Sequence, residues 1–310
     1  MQLRNEPPRS RNRDNISVCI CTYKRPELLT RLLNELQNQI TDDLFTYSIV
    51  IVDNDHAQSA KGVVISFKGK SAVEIEYYNE PEQNIALVRN KAVQNAKGDF
   101  IAFIDDDEFP VNNWLLILYK ALYAFKADGI LGPVIPYYEI EPPKWVIEGK
   151  FYERPCYKTG LVIDWRKGRT GNVLLRKDIF NENENMFNPE FGSGAEDQDF
   201  FRRMISKGYT FVWCNDAVAY EYVPPIRWKR TFMLKRALLR GKVSIIHPTS
   251  GPLHIVKSLI AIPVYTLALP FLFFLGHHRF MKCLVKDFDH IGRILAFCGL
   301  DIIKQKYIME

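Results

Sequence analysis

The sequence lacks several features that would place it in a familiar class of protein. Its six cysteines are scattered, and the one close pair, Cys19 and Cys21, has no second pair and no histidine spacing that would complete a zinc site. The net charge of +5 is small and suits an anionic ligand or membrane surface without requiring nucleic acid. We therefore expect reduced thiols packed in the core, with Cys19 and Cys21 on one face of a strand, and no nucleic-acid partner.

The N-terminal segment also lacks a long apolar run. Residues 1–14 contain four arginines and two prolines, and no hydrophobic stretch of the kind that a signal peptide needs. We predict a disordered basic tail there and, without a signal peptide, a protein that acts on the cytoplasmic side. The whole chain is 47% hydrophobic and 25% charged, which is ordinary for a protein with a substantial core.

What is present begins with alternating strand and helix patterns. Short apolar runs predict strands at residues 16–21, 48–52, 73–78 and 100–104. Helical stripes follow the first and third runs, with leucines between residues 28 and 36 and apolar residues between 85 and 96. Strands that are apolar throughout and alternate with helices are typical of a mostly parallel sheet covered on both faces, so we expect an α/β fold.

Polar residues stand at the ends of three predicted strands, at Thr22, Asp53 and Asp105. In parallel sheets ligands bind beyond the carboxyl ends of the strands, so these residues are expected to meet at one site. Asp105 and Asp107 offer hard oxygens that suit Mg²⁺ or Mn²⁺, and such an ion could bridge the phosphates of a departing nucleoside diphosphate. The alternative is a solvated acidic loop before a helix that begins near Val111.

A second acidic pair, Glu196-Asp197, follows a glycine-rich loop and begins a predicted helix. Carboxylates at a helix N-terminus often serve only as caps, but the same dipole keeps a carboxylate ionised, as a general base requires. Gly194 would let an acceptor sugar approach the backbone. Arg89 lies in the first turns of the helix after the third strand, where it could hold a diphosphate or be an ordinary surface arginine.

The motifs resemble, in order, those of the family 2 glycosyltransferases, which have the Rossmann-like GT-A fold. They are Thr22-Tyr23-x-Arg25-Pro26, Val52-Asp53-Asn54-Asp55, Ala86-x-x-Arg89-Asn90, Phe103-Ile104-Asp105-Asp106-Asp107 and Gly194-x-Glu196-Asp197. The resemblance implies a glycosyltransferase domain over residues 15–222. It departs from the family at Glu82-Gln83-Asn84, where Asn-x-Gly is usual, and at His56, where a serine often stands.

The resemblance also implies roles for individual residues. Thr22 and Asp53 would contact the nucleobase and ribose of the donor, and Arg89 would steady the base or diphosphate. Asp105 and Asp107 would serve the metal and the donor sugar, and Asp197, with Glu196 beside it, would deprotonate the acceptor in an inverting reaction that gives a β-linked product. The remaining residues of the motifs are expected to help bind the donor: Tyr23, Arg25, Asp55 and Asp106.

Further segments resemble a narrower subgroup, the glucosyltransferases of succinoglycan-type exopolysaccharide assembly. They are Leu131-Gly132-Pro133-Val134, Pro143-x-Trp145 and Gly171-Asn172-Val173-Leu174. This similarity implies UDP-glucose as donor and a lipid-linked oligosaccharide as acceptor, with Trp145, Trp165 and Asn172 lining the acceptor groove. Aromatic residues in such segments also commonly belong to a core.

The C-terminal region, residues 223–310, predicts helices that associate with a membrane. Residues 227–242 contain seven basic residues and no acidic one. A helix there would carry two adjacent stripes, the first aromatic and apolar (Trp228, Phe232, Leu239) and the second basic (Lys229, Arg236, Arg240). Such a helix suits an anionic membrane surface, although a polyphosphate-binding or solvated face has the same composition.

An uncharged run from Leu259 to Gly276 follows, interrupted by Pro263 and Pro270. Because proline disrupts regular helices, an interfacial or re-entrant hairpin is favoured over a full membrane span or a buried core helix. A final amphipathic helix is predicted from apolar residues at helical spacing (Leu284, Phe288, Ile291, Leu295). We expect residues 227–280 to attach the protein to the membrane surface.

Two other functions share some of these features. A sugar nucleotidyltransferase also uses strand-end carboxylates for Mg²⁺, but it needs a glycine-rich loop where this chain has residues 22–26. A scaffold that binds nucleotide sugars without catalysis would have no use for the base at Glu196-Asp197.

Overall fold

The computed structural model describes residues 13–245 and 251–300, so most of the predicted basic tail lies outside the described residues. The chain divides into two compact units. Unit 1 consists of residues 1–135, 154–192 and 196–222, and unit 2 consists of residues 136–153, 193–195 and 223–310. Each unit has its own secondary structure and is described by itself.

Unit 1 contains a seven-stranded sheet with strand order β3-β2-β1-β4-β8-β6-β9. The strands are β1 Asp14–Thr22, β2 Phe45–Asp53, β3 Glu74–Asn79, β4 Phe100–Ile104, β6 Gly129–Leu131, β8 Asn172–Arg176 and β9 Phe211–Trp213. Strands β3, β2, β1 and β4 are parallel, and β8 runs antiparallel to its neighbours β4 and β6. The prediction of a mostly parallel sheet is therefore confirmed.

Helices cover both faces of this sheet, as the apolar strands predict. The helices of unit 1 are α1 Pro26–Leu36, α2 Lys61–Lys68, α3 Ile85–Asn95, α4 Trp114–Phe125 and α6 Glu196–Ser206. Alternate residues of β1 belong to different hydrophobic clusters. Val18 packs in the cluster on the side of α1 and α4, and Cys19 packs in the cluster on the side of α3 and α6. Helix α2 was not predicted from the sequence, because it is only eight residues long and buries a single residue, Val64.

A small second sheet has strand order β5-β10-β7. Its strands are β5 Glu108–Pro110, β7 Val134–Tyr137 and β10 Ala219–Tyr222. Strand β5 begins three residues after Asp105, so the acidic loop is held between β4 of the large sheet and β5 of the small one. Antiparallel pairing of Glu108 with Glu221 places two acidic residues side by side next to that loop.

The cysteines are all free thiols, and the prediction for them is partly correct. Cys19 is buried and Cys21 packs against the same cluster, so they share one face of β1 as expected. Cys156 and Cys298 are exposed, which corrects the expectation of a core position for these two. Both stand outside the strands and helices, where no apolar face covers them.

Unit 2 is helical, with α5 Lys144–Glu148, α7 Arg230–Val243, α8 Pro252–Phe274 and α9 His277–Phe297. Helix α7 begins only at Arg230, so Trp228 and Lys229 lie outside it and the two predicted stripes that include them are wrong. A separate 3-10 turn, Pro225–Trp228, precedes the helix because Pro224 and Pro225 interrupt regular structure. Helix α9 is confirmed, although it buries Met281, Cys283, Asp287 and Gly292 in place of the predicted stripe.

Helix α8 is continuous over 23 residues and contains Pro263 and Pro270, so the predicted break at the prolines is wrong. Both prolines are exposed. The mean hydropathy of its most apolar window is 1.9, and only 6% of that window is buried. By length and composition this helix could cross a membrane.

Helices α7 and α9 approach each other closely at two glycines. A Cβ atom on Gly292 would overlap the carbonyl of Leu238, and one on Gly241 would overlap the carbonyl of Asp289. The absence of a side chain at both positions therefore sets the distance between the two helices.

We predict that Gly292→Ala destabilises unit 2, because the new methyl group must push two backbones apart. The expected loss in the free energy of unfolding is about 1–3 kcal/mol. Gly62→Ala is the matched control, since a Cβ on that helical glycine meets nothing within 4 Å. Urea unfolding followed by circular dichroism measures both variants, and equal stability of the two would contradict the close approach.

Candidate functional site

The strand-end residues predicted from the sequence do come together in unit 1. The Thr22 hydroxyl donates a hydrogen bond to Asp106 Oδ2 over 2.8 Å. Arg25 Nη1 lies 3.0 Å from Asp106 Oδ1 and 3.4 Å from Asp107 Oδ2. The end of β1 is thus joined to the acidic loop after β4, as expected for neighbouring parallel strands. Burial raises the pKa of Asp106 to about 6 even though Arg25 opposes the change.

Asp53 is part of the same edge, but its carboxylate is used inside the protein. Its side chain accepts hydrogen bonds from the N–H groups of Asp55 and Ala60 and from the hydroxyl of Tyr77. The residue is 0% exposed. These bonds hold the loop before α2 in place, and the contact of Asp53 with the nucleobase or ribose stays a prediction. Asp55 is also buried, with Lys24 Nζ 4.0 Å from its Oδ1.

Arg89 lies at the centre of the site and is 7% exposed, which excludes an ordinary surface arginine. Its Nη1 forms a short ion pair with Glu196 of α6, and its Nη2 is 3.7 Å from Asp105 Oδ1. One guanidinium group therefore links the two acidic motifs, although they are about ninety residues apart in the sequence. Arg89 itself was predicted, but its carboxylate partners were not.

The loop before α6 is tied to the start of α3. Asn84 caps α3 by accepting hydrogen bonds from Ala86 and Leu87. Its amide also donates to the carbonyl of Pro189, and the Ile85 N–H donates to the carbonyl of Gly192. These bonds hold in position the segment that leads to Glu196.

The predicted base, Asp197, is partly exposed in the first turn of α6. Its Oδ1 accepts a hydrogen bond from the N–H of Gln198, and its other oxygen has no partner among the described residues. Arg169 lies near Asp197. Burial, and then the charge of Arg154, lower the pKa of Arg169, although the charge of Asp197 opposes this change. Gly194 has a φ of +132°, a backbone conformation that favours glycine, and its predicted approach to an acceptor sugar stays a prediction.

A second group of charged residues lies next to the acidic loop and was not predicted from the sequence. Arg154 Nη2 donates to Glu221 Oε2 over 2.6 Å, and its Nη1 is 3.7 Å from Glu108 Oε1. Burial would lower the pKa of Arg154, but Glu221 and Glu108 raise it overall. Burial, and then the charge of Asp105, raise the pKa of Glu108 well above its usual range. Glu108 follows the aspartate run directly, whereas Arg154 stands in no recognisable motif.

The residues predicted to bind the acceptor belong to different units, with Asn172 and Trp165 in unit 1 and Trp145 and Gly194 in unit 2. Asn172 is 2% exposed, and its amide accepts from Trp114 Nε1 and donates to the carbonyls of Pro133 and Ala217. It holds the sheet together, and its role in acceptor binding stays a prediction. Trp145 belongs to α5 of unit 2 and packs edge-on against Phe151. Trp165, in unit 1, is half-buried with Arg166 over its ring.

The carboxylates of the site have features that fit a divalent cation. Six carboxylates (Asp105, Asp106, Asp107, Glu108, Glu196, Glu221) face three guanidinium groups (Arg25, Arg89, Arg154). Among the described residues, Glu108 Oε1 and Glu196 Oε2 are buried without a hydrogen-bond partner. A Cβ on Gly171 would lie 2.8 Å from Glu108 Oε1 and 3.0 Å from Asp105 Oδ2, so only glycine leaves this space open.

In residues 13–245 and 251–300, however, no group of three or more metal-ligating side chains is arranged to hold an ion alone. A cation bound through Asp105 and Asp107 would therefore need oxygens from water or from a ligand. This is the usual way in which Mg²⁺ binds at sites that handle phosphates.

We predict that Asn172→Ala destabilises unit 1, because it leaves Trp114 Nε1 and the carbonyl of Ala217 buried without partners, whereas the carbonyl of Pro133 keeps its bond from the Ala219 N–H. Each such group costs about 1–3 kcal/mol. Thermal unfolding measures the effect, with Asn181→Ala, an exposed position on the same unit, as the control. An unchanged melting temperature would contradict the structural role and favour the acceptor role instead.

Three comparisons with known proteins bear on this site. The model of the family "Glycosyl transferase family 2" matches residues 17–181. The succinoglycan biosynthesis protein ExoM of Rhizobium meliloti is 33% identical over 230 residues, which are 74% of this chain and 73% of that protein. The hyaluronan synthase of Pasteurella multocida is 24% identical over 244 residues, and the match spans only 25% of that longer protein.

Solved structures show the same fold. The mannosyltransferase PcManGT of Pyrobaculum calidifontis, in complex with GDP-Man and Mn²⁺, superposes with a TM-score of 0.63 and 16% identity, covering 93% of this chain and 88% of that one. Residues 1–349 of S. aureus TarS, in complex with UDP-GlcNAc, give a TM-score of 0.52 and 15% identity, with 92% of each chain covered. The GT-A fold is therefore confirmed, and with the family match and the similarity to ExoM it shows that this chain belongs to the family 2 glycosyltransferases.

Proposed function

We propose that this glycosyltransferase transfers a sugar from a UDP-sugar to a saccharide acceptor with inversion at the anomeric carbon. The observation that supports this most directly is the link from Asp105 through Arg89 to Glu196. It brings the side of unit 1 that would hold the donor phosphates next to the helix that carries Asp197. A nucleotide-binding scaffold would have no use for a carboxylate in that position, and the family is one of glycosyltransferases, not nucleotidyltransferases.

In the proposed reaction, Asp197 accepts the proton of the acceptor hydroxyl. The hydroxyl oxygen then attacks the anomeric carbon, and the bond from that carbon to the diphosphate oxygen breaks with its electron pair leaving on the diphosphate. Attack from the face opposite the leaving group turns an α-linked donor into a β-linked product. Asp197 suits this role because one of its oxygens has no partner within the described part of the chain.

The remaining residues of the site would hold the donor. Asp105 and Asp107 would bind Mn²⁺ or Mg²⁺, which neutralises charge on the departing diphosphate when it is present. Arg25 is partly exposed beside Asp106 and Asp107 and could donate to a phosphate oxygen. Glu196 keeps Arg89 in place, so we assign it a positioning role next to the base. Thr22 and Asp53 remain the predicted contacts for the nucleobase and ribose, and Tyr23 and Asp55 are still expected to help bind the donor.

The nature of donor and acceptor rests on the relatives. TarS has been solved with UDP and with UDP-GlcNAc, which favours a uridine nucleotide. The name of ExoM places that relative in succinoglycan biosynthesis, which favours UDP-glucose and a lipid-linked oligosaccharide in the assembly of a cell-surface polysaccharide. The exposed apolar face of α8 supports attachment of the enzyme to the membrane where such an acceptor is found, which we propose to be the cytoplasmic face.

A panel of donors tests the class of reaction. We expect nucleotide release from one UDP-sugar in the presence of Mn²⁺ and a lipid-linked saccharide, and its loss on addition of a chelator. Purified protein in detergent is mixed with UDP- and GDP-sugars, and free nucleotide is measured. Release from a GDP-sugar alone would contradict the choice of nucleotide, and release that persists in chelator would contradict the metal.

The role of Asp197 is tested by Asp197→Asn, which keeps the shape of the side chain but removes the base. The rate of transfer should fall by about a hundredfold or more, since general bases contribute about 10²–10⁴. Asp42→Asn makes the same chemical change at an exposed residue outside the site and should have wild-type activity. Full activity of the Asp197 variant would exclude it as the base.

A further inference from the structure

Unit 2 contains a cavity of about 400 Å³ between helices α7, α8 and α9. Its lining is rich in basic side chains, with Arg240 from α7 and Lys286 and Arg293 from α9. Among the residues that the structure describes, Asp289 is the single carboxylate that lines it. None of these residues takes part in the transferase site described above, which lies in unit 1.

The charges in the cavity do not balance. Arg240 forms a two-pronged ion pair with Asp289, over 3.0 and 2.9 Å, which accounts for one cation and the one carboxylate. Within the described residues, Arg293 donates to the hydroxyl groups of Ser244 over 2.7 Å and of Ser258 over 3.0 Å, and its charge also acts on the Asp289 carboxyl. Lys286 makes no ion pair within residues 13–245 and 251–300. Three cations facing one carboxylate leave a net positive charge that suits an anionic ligand.

Neutral polar groups complete the surroundings of these cations. Tyr265 of α8 stacks on His290 of α9 at the edge of the cavity. Burial, and then the charge of Arg293, lower the pKa of His290, which favours its neutral ring. Two cations with a phenol hydroxyl beside them match the chemistry of a phosphate group.

The helix that supplies Tyr265 and Ser258 to this region has an apolar face turned outward. Leu267 and Phe271 are each 72% exposed, and Phe274 is 86% exposed. A large exposed apolar face of this kind marks a surface for a membrane or a partner. A phosphate-sized cationic cavity beside it fits a ligand whose anionic head joins directly to hydrocarbon chains.

Polar contacts along α8 favour a position at the membrane surface over a full span. On the side of α9, Thr266 donates to Asp287 over 3.0 Å, and Ser258 bonds with His290 over 2.9 Å. An ionisable residue such as Asp287 is costly in the centre of a bilayer. With its apolar face in the lipid and α9 beneath it, α8 would keep these groups near the headgroups.

We propose that the cavity between α7, α8 and α9 binds the phosphate of an anionic membrane phospholipid. Lys286 and Arg293 hold the phosphate, and the acyl chains lie along the exposed face of α8. The bound lipid fixes how unit 2 sits on the bilayer. This inference rests on the membrane attachment proposed above and does not depend on the transfer reaction.

Flotation of the full-length protein with lipid vesicles tests the proposal. The wild type should bind phosphatidylcholine vesicles that contain phosphatidylglycerol more tightly than vesicles of phosphatidylcholine alone. Lys286→Gln should lower the affinity for the anionic vesicles by about tenfold or more, because a hydrogen bond to a charged group is lost. Its binding to neutral vesicles, its melting temperature and its nucleotide release should stay at the wild-type level.

Lys282→Gln is the matched control, since Lys282 is exposed on the same helix one turn away and does not line the cavity. It should cost no more than about fivefold, the effect of one cation near an anionic surface, and salt should screen this loss. Equal losses for the two variants would overturn the cavity as a binding site and leave only general attraction between charges.

Two further outcomes would also overturn the proposal. Inorganic phosphate, added at constant ionic strength, should not release the protein from anionic vesicles, and release would show that the cavity takes a free phosphate. A wild-type protein that floats with neither kind of vesicle would reject the membrane attachment itself. Nucleotide release measured on the same preparation shows separately whether the transferase function holds.

Discussion

The arrangement of the transferase site depends on one buried guanidinium group. Arg89 enters from α3 and meets Glu196 of α6 and Asp105 at the end of β4. A buried charge without a partner is strongly destabilising, so each of the three elements is constrained by the other two. Two further contacts support the same arrangement. Asn84 caps the start of α3, and the Ile85 N–H donates to the carbonyl of Gly192, so the segments that lead to Arg89 and Glu196 are held together.

Around this pair the protein accumulates more negative charge than its own cations offset. The raised pKa values of Asp105, Asp106 and Glu108 have a common physical cause, since burial and neighbouring carboxylates both disfavour ionisation. A divalent cation together with the phosphates of a donor would relieve that repulsion. The site is thus built before its ligands arrive, which is how electrostatic catalysis avoids reorganisation during the reaction.

Much of the fold of unit 1, and part of its candidate site, could be predicted from local sequence patterns. Strand β4 matches its predicted bounds, and α1, α3 and α6 lie where their apolar stripes place them, because buried strands and amphipathic helices are specified within a few residues. The ends of neighbouring strands brought Thr22 and Asp106 together for the same reason. The features that were not predicted depend on contacts between residues that are distant in the sequence, such as the ion pair of Arg154 with Glu221.

The other differences from the expectations have a similar origin. Asp53 and Asn172 have hydrogen-bond partners inside the protein that their motifs do not indicate, because burial is decided by the whole fold. In the C-terminal region, Trp228 lies before α7 because prolines interrupt the chain, whereas the prolines of α8 are tolerated on its exposed side. Prolines interrupt regular structure before α7 but are accommodated inside α8. The sequence alone does not distinguish these two outcomes, because they depend on the packing around each proline.

The most direct test of the central claim is a double-mutant cycle between Arg89 and Glu196, read out as kcat/KM for sugar transfer. Arg89→Gln and Glu196→Gln should each lower kcat/KM, because each leaves a buried partner unpaired. If the two residues act as one unit, the double variant should be no worse than the more damaged single variant. Losses that simply multiply in the double variant would show that Arg89 does not join the two acidic motifs, and would contradict this account of the site.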